Sequence, residues 1–210
     1  MLDSFRQAYQ KIGVPYGLPM ELLEVFTAWY ELLIKWNRKI NLTKITDPSE
    51  VVIYHLADAL PLSRLVPPDS TLLDIGSGTG VPGLIVAALR PDVVVTCAES
   101  IAKKAAFLTQ AAAAMRLKNV KVENQRAEKL AGAWDVVTAR AVADLGKMAV
   151  VFGKLASPQG CLIFFATDKT ILPLNWPVGY RYQESIPYRL PSIGVSRSMI
   201  VLQKIGNSEN

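Results

Sequence analysis

The sequence has one histidine, two cysteines and no apolar run long enough to span a bilayer. A lone imidazole and two separated thiols argue against a zinc site of the usual ligand set, so no metal is expected. Cys97 and Cys161 sit inside apolar runs, the pattern of reduced, buried thiols in a cytosolic protein. No signal peptide opens the chain, which makes Asn41-Leu42-Thr43 a chance glycosylation sequon and a cytoplasmic location the expectation. Repeats, linkers and low-complexity segments are missing too. Nothing calls for an obligate dimer, so a monomer is expected.

Half of the 210 residues are hydrophobic and a fifth are charged, an ordinary globular composition with room for one sizeable core. Lys and Arg total 23 against 18 Asp and Glu, a mild bias towards an anionic partner such as nucleic acid.

Periodicity divides the chain in two. Residues 1–12 read as a short helix ended by Gly13, Pro15, Gly17 and Pro19. An amphipathic helix runs from about Pro19 to Arg38, with Leu22, Leu23, Phe26, Trp29, Tyr30, Leu33 and Ile34 on its apolar face. Asp47 as cap and Pro48 at the first position open another helix, which places His55 and Asp58 on one face. His55 reads as a structural residue hydrogen-bonded near Asp58 rather than as a base. From Thr71 onwards strands alternate with helices, the signature of a parallel sheet. Strands are expected at 71–75, 93–98, 120–123, 134–139 and 162–166, with Pro158-Gln159-Gly160 as a turn before the fifth. In the proline-rich tail from Pro173, strands near 180–186 and 198–205 suit an antiparallel hairpin on the sheet's edge. The expected organisation is a helical cap over 1–68 packed on an α/β domain over 69–210.

The stretch Thr71 to Gly83 dominates the second part. An apolar run ends in Asp74 and is followed by Gly76, Gly78, Gly80 and Gly83, as for a buried strand stopping at a tight turn where a ligand approaches the backbone. Gly78-Thr79-Gly80-Val81-Pro82-Gly83 matches the dinucleotide pattern G-x-G-x-x-G, and Glu99 lies about where a ribose-binding acid falls. A nicotinamide or flavin dinucleotide, and hence an NAD(P)-dependent oxidoreductase, is therefore one reading. Against it, Pro82 removes an N–H where a pyrophosphate needs donors, and Asp74 would repel phosphate. S-adenosylmethionine, cationic and without phosphate, is the other reading. Glu99 would then accept from its ribose hydroxyls, while Ala127 and Glu128 flank its adenine.

Six segments carry a family resemblance: 36–45 (Trp-Asn-Arg-Lys-Ile-Asn-Leu-Thr-Lys-Ile), 55–60 (His-Leu-Ala-Asp-Ala-Leu), 73–83 (Leu-Asp-Ile-Gly-Ser-Gly-Thr-Gly-Val-Pro-Gly), Lys103-Lys104 with Phe107-Leu108, Arg126-Ala127-Glu128 and 135–142 (Asp-Val-Val-Thr-Ala-Arg-Ala-Val). With them the chain, from about Phe26 to Lys204, resembles the bacterial small-subunit ribosomal RNA guanine-N7 methyltransferases, also called glucose-inhibited division protein B. The resemblance implies a class I S-adenosylmethionine-dependent methyltransferase fold, a Rossmann-like and mostly parallel seven-stranded sheet with an N-terminal helical cap. It also implies methylation at N7 of one guanosine in 16S rRNA of the small ribosomal subunit. Carried over by position, the donor contacts are Gly76, Gly78, Val81, Glu99, Ala127, Glu128 and Arg140. Three positions depart from the family. Val81 stands where a bulky Phe or Leu is usual, Glu99 where Asp is commoner, and no glycine follows Lys169.

Guanine N7 offers an in-plane lone pair, so transfer could rest on positioning without a general base. The Asn-Pro-Pro-Tyr motif that handles exocyclic amines is absent after strand four, where Arg140-Ala141-Val142 stands. Arg140 is the candidate catalytic residue, through positioning; its alternative is a salt bridge to an acid such as Glu128. Lys35, Arg38, Lys39 and Lys44 in the cap, with Lys103, Lys104, Lys169 and Arg197 around the cleft, are the candidate RNA contacts. A non-catalytic RNA- or ribosome-binding protein is a third reading, to which the small Val81 lends some support.

Overall fold

The computed structural model describes residues 1–140, 144–167, 169, 170, 172 and 176–205. Ala141 and Val142 of the 135–142 segment, Asp168, and Pro173 at the head of the tail lie outside the described residues.

The chain begins with α1 (Leu2–Ala8), which passes through a π-helical turn at Tyr9–Gly13 into α2 (Val14–Tyr16). Gly13 therefore does not end the first helix. Its would-be Cβ would press on Leu18 at 2.8 Å, so glycine is there for close packing. The stop is Gly17, whose φ of +116° reverses the chain. A 3-10 turn at Met20–Leu22 leads into α3 (Leu23–Ile40), which buries Phe26, Trp29, Tyr30 and Leu33 as its periodicity predicts. Asp47 caps α4 (Pro48–Val51), accepting from the N–H groups of Ser49 and Glu50. A π-helical segment at Val52–Ala57 then leads into α5 (Asp58–Leu65).

The second part supplies β1 (Thr71–Ile75), α6 (Gly83–Leu89), β2 (Val94–Ala98), α7 (Ala102–Ala114), β3 (Val120–Glu123), β4 (Trp134–Ala139), α8 (Leu145–Gly153), β5 (Ala156–Thr167), β6 (Tyr180–Arg189) and β7 (Ser196–Lys204). The strands form one seven-stranded sheet in the order β3-β2-β1-β4-β5-β7-β6. The first five are parallel, and β7 is inserted antiparallel between β5 and β6. The hairpin thus closes the edge as expected, with its second strand innermost. Strand five, in contrast, begins at Ala156 and runs through Pro158 and Gly160. Between the pairs Trp134–Ala156 and Val136–Cys161 the register shifts, so residues 157–160 stand against Asp135 alone. A bulge of this kind removes the ladder position that would exclude proline.

Apolar side chains fill both faces of the sheet. On one face α3, α6 and α7 share a cluster that runs from Phe5 through Leu84 and Phe107 to Val201. On the other, α8 packs on Leu73, Val137, Leu162 and Phe164. Trp29 of α3 donates its indole N–H to the Thr79 carbonyl at 2.9 Å, and Tyr16 donates to the Arg189 carbonyl at 2.6 Å. The cap is therefore hydrogen-bonded both to the glycine turn and to the far hairpin. Strand order reverses between β1 and β4, and a crevice opens at such a point beyond the carboxyl ends of the strands.

Candidate functional site

Two recesses lie side by side along that crevice. The first, about 230 Å³, is lined by Ile75, Gly76, Ala98, Gln125, Ala127 and Glu128, with Ser100, Arg126 and Met148 at its margin. Gly76 has φ of +72°, and a Cβ added there would meet no atom within 4 Å. The position demands glycine for its backbone angle and at the same time presents bare peptide to open space, a cradle that a side chain would fill. Ala127 and Glu128 belong to a 3-10 turn after β3 (Ala127–Lys129) on the facing wall. Gly76, Ala127 and Glu128 are brought together as the sequence implied.

The other donor-site candidates sit elsewhere. Glu99 is buried beneath the turn, where Oε2 accepts from the Gly78 N–H at 3.1 Å and Oε1 from the Ile101 N–H at 2.9 Å. Its observed role is to brace the turn against the start of α7, instead of lining the described wall as a free ribose acceptor. Val81 is 3% exposed and belongs to the core shared with the cap. A small β-branched side chain is accommodated there by burial in the core instead of standing open to the cleft.

Asp74 also departs from expectation. It shares its face of β1 with Leu72, two residues earlier, and so points under α6 instead of into the crevice. Oδ2 accepts the Gly83 N–H at 2.9 Å, and Oδ1 has no partner among the described residues. Burial pushes this carboxyl up to about 6, against the pull of the Gly83 and Ser77 hydrogen bonds. A Cβ at position 83 would lie 2.7 Å from Cys97 Sγ and 2.8 Å from Asp74 Oδ2, so glycine permits this capping. The first N–H of α6 is consequently spent on a protein carboxylate. A dinucleotide's pyrophosphate would need that N–H and would meet Asp74 in its place, which removes the physical basis of the oxidoreductase reading.

The second recess, about 350 Å³, lies over the ends of β4, β5 and β7, under the cap. Arg140 lines it together with Ile45, Tyr54, Asp58, Phe165 and Arg197, and Thr167 and Thr170 close one side. Arg140 Nη1 donates to the Tyr54 carbonyl at 2.8 Å and lies 3.7 Å from Asp58 Oδ2. Its acid is thus Asp58, not Glu128. Arg140 therefore stands on this side of the crevice, away from the described wall of the first recess. Asp58 Oδ1 accepts from the Tyr188 hydroxyl at 2.7 Å and lies 4.0 Å from Arg197 Nε. Burial raises the Asp58 carboxyl, with the Tyr188 hydroxyl and the two guanidiniums pulling it back.

His55 is buried and structural as expected, but its neighbour differs. Nδ1 is 3.1 Å from the Tyr54 carbonyl and 3.4 Å from Arg140 Nη1, and Nε2 is without a partner among the described residues. Burial, and then the Arg140 charge, lower it to about 3, which makes it a poor base. Cys97 is fully buried with its thiol pushed well up, and burial pushes the Cys161 thiol up to about 11, so neither offers a thiolate nucleophile. Tyr54, Tyr188, Thr167 and Thr170 were not singled out by sequence. The one sign in the sequence was Asp58, an acid sharing a helix face with the lone His55.

Of the basic candidates, Lys35, Arg38, Lys39, Lys44, Lys103 and Lys169 are exposed, Lys104 is half-buried, and Arg197 is drawn into the second recess. Among the described residues no cluster of three His, Cys, Asp or Glu is placed to hold a metal, and no helix is long and apolar enough to cross a membrane.

A crevice at the strand reversal, a glycine cradle on one side and charged side chains on the other define an S-adenosylmethionine-dependent methyltransferase fold. A SAM dependent methyltransferase from Aquifex aeolicus shares it with a TM-score of 0.60 at 15% identity, covering 79% of this chain and 97% of that one. A variant of MtNAS solved in complex with S-adenosylmethionine shares it with a TM-score of 0.58 at 13% identity, covering 87% and 77%. More specifically, the chain belongs to the GidB family, rRNA small subunit methyltransferase G, whose model matches residues 22–170. A "Ribosomal RNA small subunit methyltransferase G" from Leptothrix cholodnii is 38% identical over 165 residues, 76% of this chain and 75% of that protein. One of the same description from Xylella fastidiosa is 37% identical over 217 residues, 97% of this chain and all of that protein.

Proposed function

We propose that the chain methylates N7 of a specific guanosine in the 16S rRNA of the small ribosomal subunit, with S-adenosylmethionine as donor. The observation that carries this reading is the adjacency of the two recesses. A glycine-built cleft suited to a donor without phosphate opens beside a charged, partly aromatic recess of a size for one base. When bound, the donor supplies an electrophilic methyl group on a sulfonium.

The protein's own work is then to bind and align. Gly76 lets the donor approach the backbone, Ala127 and Glu128 form the facing wall, and Glu99 holds the Gly78 peptide in place. Gly78 and Val81 contribute through the shape of the turn. Arg140, pinned by the Tyr54 carbonyl, orients the acceptor at the boundary between the recesses. N7 needs no proton removed, which fits a site where the one histidine is a weak, buried base and the thiols are inert. The target nucleotide must leave its stack to reach the recess, and the exposed basic residues of the cap and rim hold the flanking phosphates. A cytoplasmic monomer suits this substrate.

The test is transfer of labelled methyl to small-subunit rRNA, mapped by N7-sensitive strand cleavage. Label at one guanosine, released by that cleavage, is the expected result. Label on another atom, or none on ribosomal RNA in any assembly state, would overturn it.

A further inference from the structure

N7 chemistry alone does not choose guanine, because adenine carries the same N7 lone pair. The two purines differ next to it. Guanine presents O6 as an acceptor with N1–H and the N2 amine as donors, whereas adenine presents an N6 amine and a bare N1. A site that methylates one and not the other must read that edge.

The second recess holds the matching groups. Asp58 is 6% exposed. Its Oδ1 is engaged by Tyr188, but Oδ2 makes no hydrogen bond among the described residues; Arg140, at 3.7 Å, is beyond hydrogen-bond range. Asp58 lines the second recess, where Oδ2 is held by a long ion pair to Arg140 in place of a hydrogen bond. A buried carboxylate oxygen short of a donor gains strongly from a ligand N–H, since its lost hydration is not yet replaced. Beside it stand two guanidiniums, and on the walls the rings of Tyr54 and Phe165 suit a flat heterocycle. In the sheet order β1-β4-β5, Arg140 lies between the donor cleft and the rest of the recess.

We propose that Asp58 is the specificity residue for guanine, accepting the N1–H and N2 amine of the flipped base while Arg140 donates to O6. N7, the neighbour of O6, then faces the donor side of Arg140. Adenine would set its N1 lone pair against the carboxylate and its N6 amine against the guanidinium, two repulsions in place of two bonds. This assignment rests on the methyltransferase reading and adds to it the group that rejects adenine.

The test uses the full chain and small-subunit RNA carrying guanosine or inosine at the mapped position. Inosine keeps N7, O6 and N1–H and lacks only the N2 amine. Wild type is expected to lose about 10- to 100-fold in kcat/KM on inosine, the worth of a hydrogen bond to a charged group. Asp58→Ala is expected to lower transfer to guanosine RNA and to bring the guanosine-to-inosine ratio to about 1, with the donor Kd, read by calorimetry, within about twofold of wild type. A merely structural Asp58 would lower both substrates alike and keep the ratio, which overturns the proposal. If the alanine variant does not fold, the wild-type ratio still decides: equal rates on the two RNAs refute it, and Asp58→Asn, similar in volume, repeats the comparison. Failure of wild type to methylate guanosine RNA at N7 would instead refute the parent reading, before any ratio is formed.

Discussion

The two recesses are made of different materials. The donor side is backbone: a bare peptide at Gly76, a turn braced by Glu99 from below, and a helix start capped by Asp74. The acceptor side is side chains borrowed from distant elements, with Asp58 from the cap, Arg140 from the end of β4, and Tyr188 and Arg197 from the closing hairpin. A backbone site is rigid and tolerates little change at its glycines, but contributes few charges. A side-chain site carries charge and specificity, but each group depends on another to hold it. Substitutions should therefore separate donor affinity from turnover, according to the side they fall on.

The largest effect is expected on the acceptor side. Arg140→Ala should lower kcat about 100- to 1000-fold, as for removal of a preorganised donor at a reacting centre. The donor Kd should stay within about twofold, because the guanidinium lines the other recess. Single-turnover transfer beside calorimetric titration of the donor checks this. A large rise in Kd would place Arg140 on the donor side after all, and the separation of the two sides would fail.

Next in size is a difference in how the two sides titrate. Asp74, beneath the donor turn, has an ordinary pKa of 3.8 and is held near 6 in the fold. Between those values the native state keeps a proton that the unfolded chain has lost, so this group's contribution to stability falls as pH rises from about 4 to 6. His55, behind Arg140, runs the other way. Its pKa drops from 6.5 to about 3, so between those values the unfolded chain binds the proton and stability falls as pH is lowered. The two oppose each other over most of the acid range. Asp74→Asn should remove one and unmask the other. Going from pH 7 to pH 4 should then cost the variant about 2 kcal/mol more than wild type, because it lacks a carboxyl that takes up its proton near pH 6 only when folded. Urea unfolding of both proteins across that range reads the difference, and parallel pH profiles would show that Asp74 is not raised.

How the sites were built also decides what could be read from sequence. The donor side was legible because its pieces are contiguous: Gly76 follows strand β1 directly, and Ala127 follows β3 by four residues. What the local pattern hid was direction. Nothing in the string says that Asp74 points under α6 or that Glu99 spends both oxygens on backbone N–H groups, because strand alternation fixes the face only once the helix is placed. The acceptor side was nearly illegible. Tyr188 and Asp58 are 130 positions apart, and Arg140 and Tyr54 are 86 apart. Only the topology, with β7 folded back between β5 and β6, brings the hairpin against the cap. The missed start of β5 has a similar cause. Gly160 lies where a Cβ would be 2.8 Å from the Trp134 carbonyl and 3.0 Å from that of Asp135, a tertiary constraint at a place that reads locally as a turn.

A smaller effect is expected at the cradle itself. Gly76→Ala forces an L-residue to φ of +72°, at about 1–2 kcal/mol, and puts a methyl group into the open space above the peptide. The backbone cost falls on stability, whereas the methyl group, standing where the donor would approach, should raise the donor Kd roughly tenfold and change kcat at saturating donor much less. Arg140→Ala and Gly76→Ala would then be mirror images, one read in turnover and the other in affinity. A Gly76→Ala enzyme with normal Kd and low kcat would break that symmetry.

The smallest single effects belong to the exposed basic residues, which lie outside both recesses. Lys35, Arg38, Lys39 and Lys44 surround the end of α3 and the loop after it, and the Asn37 side chain, bonded to both the N–H and carbonyl of Thr43, holds that loop against the helix. Among the described residues none of the four has an ion-pair partner within 4 Å, so their charge is free for phosphate. Each one changed to alanine should weaken RNA binding only a few-fold near physiological salt, uniformly across sequences. It should also lower the slope of log Kd against log salt by about 0.7–0.9 if that residue neutralises one phosphate. Donor affinity and the guanosine-to-inosine ratio should not move, because a phosphate contact positions the RNA without reading its bases. The salt slope is the decisive quantity, since a few-fold loss of affinity can arise from many causes but a unit change in slope counts one phosphate contact. A variant whose slope matches wild type contacts no phosphate, and its lysine or arginine is an ordinary solvated charge on the cap.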